Sequence, residues 1–251
     1  MKYIIQCTLL SDTLPASGEG ISGSVDMDIH YDDDGIPYIP GKRLKGILRE
    51  QAEALEEIVL QHSVNELFGT EGNDSLTNFK LGNGKIKNYD SYRRTLSKVE
   101  EELKRSLSRE EVLAWFTTVR AGTTIELDSG VAQRGTLRTM RLLRKGLVFE
   151  FPLQLDHKYE KDFELLCKAT THLGVSRTRG LGNIRLELKK AEKEEATLSI
   201  IPQNIPSNAN VFRVRFRNIE PLLITSEVGK NQKTMNFVPG SMIRGALSYL
   251  F

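Results

Sequence analysis

Two hydrophobic periods alternate along this chain. From Tyr3 to Leu10 apolar and polar residues alternate in the period of a half-buried strand. The pattern then lapses: Ser11 to Tyr38 is polar and rich in Gly and Asp, which reads as a long loop with a hairpin turn at Asp33-Asp34-Gly35. After Pro40-Gly41 the period changes. Leu44, Ile47, Leu48, Leu55, Ile58 and Val59 recur at helical spacing, predicting a helix to about Gln61. Val64 to Tyr92 reads as loop with a short strand pair around Asn78–Ile86. A charged helical stretch follows over 91–118, and inside it Ser108-Arg109-Glu110-Glu111 has the form of a capping box. Strands are predicted at Thr123–Leu127, Leu137–Leu143 and Leu147–Leu155. A second helix, Tyr159 to Leu173, turns Phe163, Leu166, Cys167 and Thr170 inward, and Asn183–Leu188 closes the series as a strand.

Without its insertions this order is βαββαβ, an α+β, ferredoxin-like pattern that packs two helices on one face of an antiparallel sheet. The other face is left for a partner. Residues 1–190 form this first domain, with the helical insertion at about 91–118. Residues 191–210, charged and then rich in Pro and Asn, read as a linker. Beyond it the N-terminus is echoed. Phe212–Phe216 repeats the first strand, and Phe237-Val238-Pro239-Gly240-Ser241-Met242-Ile243-Arg244-Gly245-Ala246-Leu247 repeats Tyr38–Leu48 in register. Residues 211–251 therefore read as the incomplete beginning of a second such domain.

Composition narrows the class without choosing a ligand. Hydrophobic residues at 39% and charged ones at 27% exclude a wholly disordered chain. The net charge of +2 means that any nucleic-acid face must come from clustering of cations. Cys7 and Cys167 read as buried, reduced thiols, and two thiols cannot build a metal site alone. The N-terminus lacks the features of a signal peptide, and no apolar run approaches a membrane span, so a cytoplasmic protein without a membrane partner is expected.

Cations cluster where a helix does not favour them. Lys42, Arg43 and Lys45 sit in and just beyond the first turn of the Pro40-Gly41 helix, where the macrodipole opposes positive charge by about 0.3–1 kcal/mol each. An anion gripped by these side chains and the free N–H groups would offset that cost; a solvated basic turn is the alternative. The segment Gly174-Val175-Ser176-Arg177-Thr178-Arg179-Gly180-Leu181-Gly182-Asn183 makes the same case. Its glycines permit positive φ and exposed N–H donors, and Arg177 and Arg179 add bidentate phosphate ligands. Gly180 and Gly182 are thereby candidate binding positions, and Gly41 and Gly46 at the helix start allow close approach of a backbone or a sugar. In the basic run Arg134, Arg138, Arg141, Arg144 and Lys145, Arg138 is the RNA-contact candidate, and a solvated edge strand accounts for the others.

The glycine-arginine loop and the repeated Pro-Gly-x-x-(Leu or Ile)-(Lys or Arg)-Gly helix start resemble the RAMP superfamily of CRISPR-associated proteins. Leu67-Phe68-Gly69-Thr70 is similar to that family's Phe-Gly segment. Leu137-Arg138-Thr139 is placed as in its β-hairpin thumb. The resemblance implies an RNA-recognition-motif-like domain and, with a second domain begun, fused RAMP subunits like those of type III-D effector complexes. It implies guide RNA, target RNA and other effector subunits as partners. It also implies that Asp26, aligned on Pro37-Tyr38-Ile39-Pro40-Gly41, cleaves target RNA with a divalent metal, Mg or Mn, for which it is a ligand. An extended segment would put Asp28 on the same side as Asp26, and an acidic solvated loop is the rival reading. A non-catalytic scaffold and a guide-processing endoribonuclease using His30 remain as alternatives. The Asp26–Gly35 segment lacks the spacing of a calcium-binding EF-hand loop.

Overall fold

The computed structural model describes residues 1–18, 20, 25–70, 78–126, 128–191, 224 and 237–248. The chain divides into two compact units, Met1–Glu195 and Ala196–Phe251. In the first, β1 (Lys2–Leu9), β2 (Tyr38–Ile39), α1 (Gly41–Leu55), α2 (Val64–Phe68), β3 (Phe79–Leu81) and β4 (Gly84–Ile86) are followed by α3 (Tyr89–Leu103) and α4 (Arg109–Phe116). Then come β5 (Thr117–Gly122), β6 (Arg138–Leu143), β7 (Val148–Leu155), α5 (Glu160–Ala169) and β8 (Ile184–Lys190). Short 3-10 turns lie at His157–Tyr159 and Arg177–Arg179.

The main sheet runs β2-β4-β7-β1-β8, with β3 on β7 beside β4. β1 is antiparallel to both neighbours, with Ile5 opposite Phe151 on β7 and Leu188 on β8. This is the βαββαβ arrangement: β3 and β4 supply the second strand, β7 the third and β8 the fourth. Alternation does the sorting. Tyr3, Ile5, Cys7 and Leu9 join Phe149, Phe151, Leu153 and Leu155 in one core with Leu44 and Leu48 of α1 and Phe163 and Leu166 of α5. The opposite face carries Gln6, Glu150, Gln154, Arg185 and Glu187 and has no aromatic side chain on β1, β7 or β8. Both cysteines are buried and free, and burial pushes each thiol up to about 12.

Several boundaries differ from the sequence pattern for tertiary reasons. The helix expected to reach Gln61 ends at Leu55, leaving Ile58 and Val59 exposed. Side chains from elsewhere take over the chain there. Glu56 accepts from Val64 N (2.7 Å) and buried Asp162 accepts from Gln61 N (2.9 Å), which starts α2 where only loop was expected. The insertion resolves into two helices, α3 and α4. The capping box is present, and Arg105 beside Glu111, with Ser108 donors, holds that carboxyl down at about 2. The expected strand at Thr123–Leu127 is replaced by β5, which pairs with β6 as a separate two-stranded hairpin. The linker over 192–210 and the echoed strand Phe212–Phe216 lie outside the described residues. In the second unit, Gly240–Ser248 forms α6, on the segment that repeats the start of α1.

One ion pair ties the hairpin to the rest of the unit. Arg141 of β6, 4% exposed in its side chain, donates from Nε to Asp28 Oδ1 (3.0 Å) and from Nη2 to Glu110 of α4 (2.8 and 3.0 Å). Arg141→Met leaves Asp28 charged and unpaired in the interior. The expected loss is about 3–5 kcal/mol in urea unfolding, and pairing Arg141→Met with Asp28→Leu should recover most of it.

Candidate nucleic-acid interface

Helix α1 starts without a side-chain cap at Pro40. Gly41 N–H donates instead to Asn83 Oδ1 (2.9 Å), and a Cβ at Gly41 would strike the Gly82 carbonyl. The helix is thereby pressed against the β3–β4 turn, and Lys42, Arg43, Gly46 and Ile47 face outward together. The glycine-arginine loop is pinned from the other side. Val175 N–H donates to Leu14 O (3.1 Å), Gly182 N–H to Asp12 O (2.9 Å) and Leu173 N–H to Gly182 O (2.8 Å). Gly174 at φ +92° lies so close to Leu14 O that no side chain fits.

Between helix and loop lies a cavity of about 270 Å³. Lys42, Arg43, Gly46 and Ile47 form one wall; Gly174, Val175 and Arg177 form the other, with Pro15 and Ala16 alongside. Arg43 is steadied by a bond from Nη2 to Ala16 O (2.8 Å). Arg177 donates from Nη1 to both oxygens of Glu50, at 3.1 and 3.2 Å. Arg179 ends the same 3-10 turn, exposed and without a carboxylate partner among the described residues. Gly180 (φ +78°) faces open space.

Two of the expected contacts are placed elsewhere. Lys45 turns away, its Nζ 5.4 Å from the centre of the Phe79 ring, where burial and then Arg49 lower its pKa. Gly182 is buried with its N–H already donated, so it shapes the loop from within. The loop is a smaller donor surface than three glycines suggested. At its tip the N–H groups of Arg177 and Thr178 have no acceptor among the described residues.

Asp26 occupies a second, solvent-exposed position at the base of the hairpin. Its N–H donates to Thr139 O (3.0 Å), while Thr139 N–H (2.6 Å) and Oγ (3.0 Å) donate to Asp26 Oδ2. The backbone bond from Thr139, then its hydroxyl, hold this carboxyl below its ordinary range, and the charge of Arg138 adds to the effect. Asp28 differs from it in burial and partner. It is buried against Arg141, so the two carboxylates are separated. Among the described residues no three His, Cys, Asp or Glu side chains converge on a metal position. Asp26 Oδ1 has no partner among them, so a Mg²⁺ or Mn²⁺ there would take its other ligands from water and RNA phosphate, as Mg²⁺ commonly does. His30 is partly buried, its ring 5.6 Å from that of Tyr38.

The basic run also divides. Arg134 and Arg138 are exposed on the hairpin, whereas Arg141 is buried and Arg144 bonds Thr117 O and Ala114 O. The segment 14–17 joins the two regions: Ala16 O accepts from Arg43, and Ser17 N and Oγ donate to Asp28 O (2.8 and 3.0 Å). Sequence reasoning passed over Glu50 and Thr139. Glu50 could have been found, since it follows Gly46 by four residues and Arg43 by seven on the same helical face. Thr139 carried no such signal, because its pairing with Asp26 spans 113 residues.

The sequence model of the RAMP superfamily matches residues 7–185. No curated protein matches the chain. Among solved structures, the chain is similar to one from the Type III-B Cmr-beta complex bound to cognate target RNA. The TM-score is 0.54 at 12% identity, covering 75% of this chain and 97% of that one. A chain of Type III-B Cmr-beta in the apo state gives 0.53 at 13% identity with the same coverage. At such identity the likeness is one of fold. The hydrogen bonds at Asp26 make a direct prediction. Its carboxyl should titrate below the ordinary aspartate range in ¹³C NMR, and Thr139→Val should move it partway up, because the backbone donor remains.

Proposed function

The chain belongs to the RAMP superfamily, and from that premise we propose that it is a cytoplasmic guide-RNA-binding subunit of a type III CRISPR effector complex. The observation that carries this reading is the cavity between the start of α1 and the glycine-arginine loop, with Lys42, Arg43 and Arg177 around it. Such a cleft suits a phosphodiester backbone. Guanidinium groups donate in pairs to phosphate oxygens, Lys42 adds a mobile point charge, and Gly46 leaves room for a ribose. No aromatic side chain among the described residues lines it, so it grips phosphate and sugar and carries no base information. The sheet face of β1, β7 and β8, free of aromatics, offers no stacking platform that would compete. The second unit, in this reading, is the opening of a second RAMP domain, and neighbouring effector subunits are its partners.

The finer proposal is that Asp26 takes part in cleavage of bound target RNA. Thr139 keeps its carboxylate ionised and turned by one oxygen, and Arg138 stands beside it to neutralise phosphate charge. A divalent ion held by Asp26 and RNA would supply Lewis-acid stabilisation of the phosphate. The same scaffold without catalysis is the other outcome of the test below. A processing reaction through His30 has less support, since that ring is packed beside Tyr38.

Binding is tested by fluorescence anisotropy of a labelled, unstructured single-stranded RNA. Arg43→Glu and Arg177→Glu should each weaken binding roughly tenfold. Arg43→Glu should also make log Kobs against log[salt] shallower by about 0.7, the value of one phosphate contact on a single strand, and Arg177→Glu by less, because Glu50 offsets part of its charge. Unchanged affinity and slope in both would refute the RNA reading. Cleavage is tested in the assembled complex. Asp26→Ala should abolish the target cut at this subunit and leave RNA affinity unchanged; persistence of every cut would leave the scaffold role alone.

A further inference from the structure

We propose that Glu50 is a built-in competitor for RNA at Arg177, an acidic occupant that an incoming phosphate must displace. This rests on the reading of the cavity as an RNA-backbone clamp. Of the cations around the cavity, Lys42 and Arg43 have no carboxylate partner among the described residues, and Arg177 is the one that does. The pair links α1 to the glycine-arginine loop across 127 residues of sequence, so it forms only when both walls of the cavity are in place.

Its geometry makes it displaceable. A single nitrogen, Nη1, donates to both Glu50 oxygens at 3.1 and 3.2 Å, and neither Nε nor Nη2 has an acceptor among the described residues. This is a bifurcated contact, weaker than the two-nitrogen fork that carboxylate or phosphate can form with arginine. Both side chains are also largely in water, 42% and 60% exposed, where ion pairs are screened and contribute little. A phosphate arriving at the cavity can therefore take the unused nitrogens and then replace Glu50.

The displaced carboxylate does not leave. Glu50 is fixed in the second half of α1, and once freed it stands close to the RNA phosphates and repels them. Engagement of Arg177 is thus favourable only when Lys42 and Arg43 hold the same backbone. A small anion or a single chance contact gains less, because it must overcome the same counter-ion without that help. The clamp is tuned for a continuous polyanion at the expense of raw affinity.

The test uses the full chain and a labelled, unstructured single-stranded RNA. Gln and Glu have nearly equal helix propensity, so Glu50→Gln should preserve α1. It should tighten RNA binding roughly three- to fivefold at low salt and steepen the salt dependence, because Arg177 then releases its full counterion share. Glu53→Gln is the control: Glu53 pairs with Arg49 on the same helix and touches neither wall of the cavity, and its removal should change affinity less than about twofold. In an Arg177→Gln background the Glu50→Gln gain should shrink to the part that direct repulsion of phosphate supplies, less than about twofold. Equal gains from Glu50→Gln and Glu53→Gln, or an undiminished gain without Arg177, would overturn the proposal in favour of general charge removal. No gain from Glu50→Gln, with Arg177→Glu still weakening binding, would overturn the competitor and leave the clamp standing. If charge reversal at Arg43 and Arg177 also has no effect, clamp and competitor fall together.

Discussion

Arg141 is a guanidinium buried almost completely in the first unit, and the placement of the second candidate region depends on how its charge is met. Burying two ions costs several kcal/mol each, recovered only where geometry and further hydrogen bonds are good. Here Asp28 takes Nε and Glu110 takes Nη2, joining the long loop, the hairpin and α4. The consequence is register. β6 alternates, so Thr139 lies on the same side as Arg141, and Asp26 precedes Asp28 by the same two residues. Once Asp28 meets Arg141, Asp26 must meet Thr139, and the parallel bridge Met27–Met140 lies between them.

The clamp rests on a different constraint, close approach of backbone to backbone. Gly41 lets α1 reach the β3–β4 turn, and Gly174 lets the last loop lie against Leu14. Because both walls are fixed by contacts with no room for a side chain, the width of the cavity does not depend on the long cations that line it. Those cations can then move to fit phosphate without moving the fold. Glu50 on the helix and Asp26 at the hairpin are each held by a donor, Arg177 and Thr139.

Much of this was legible beforehand where the physics is local. The alternation of β1 and β7, the periodicity of α1 through Leu48, the Ser108–Glu111 capping box and the positive-φ glycines at 174, 180 and 182 each depend on residues within a few positions of one another. The βαββαβ order follows from them. The same locality misled at Ile58 and Val59, whose spacing continues the helix although Glu56 and Asp162 draw the backbone away. It misled again at Thr117 and Thr118, which the helical stretch included and pairing with β6 made the start of a strand.

The sequence by itself determined the fold class and the two basic segments, because hydrophobic period, helix-terminus charge and glycine conformation are written in neighbouring residues; the candidate aspartate came from the family resemblance alone. Tertiary structure alone decided which cations share a cavity. It directed Lys45 to Phe79, buried Gly182, buried Asp28 against Arg141 and set Glu50 on Arg177. Those outcomes depend on desolvation and on partners more than a hundred residues apart or on facing elements. Burial and pairing of a charge are properties of the assembled interior, and no window of neighbouring sequence contains them.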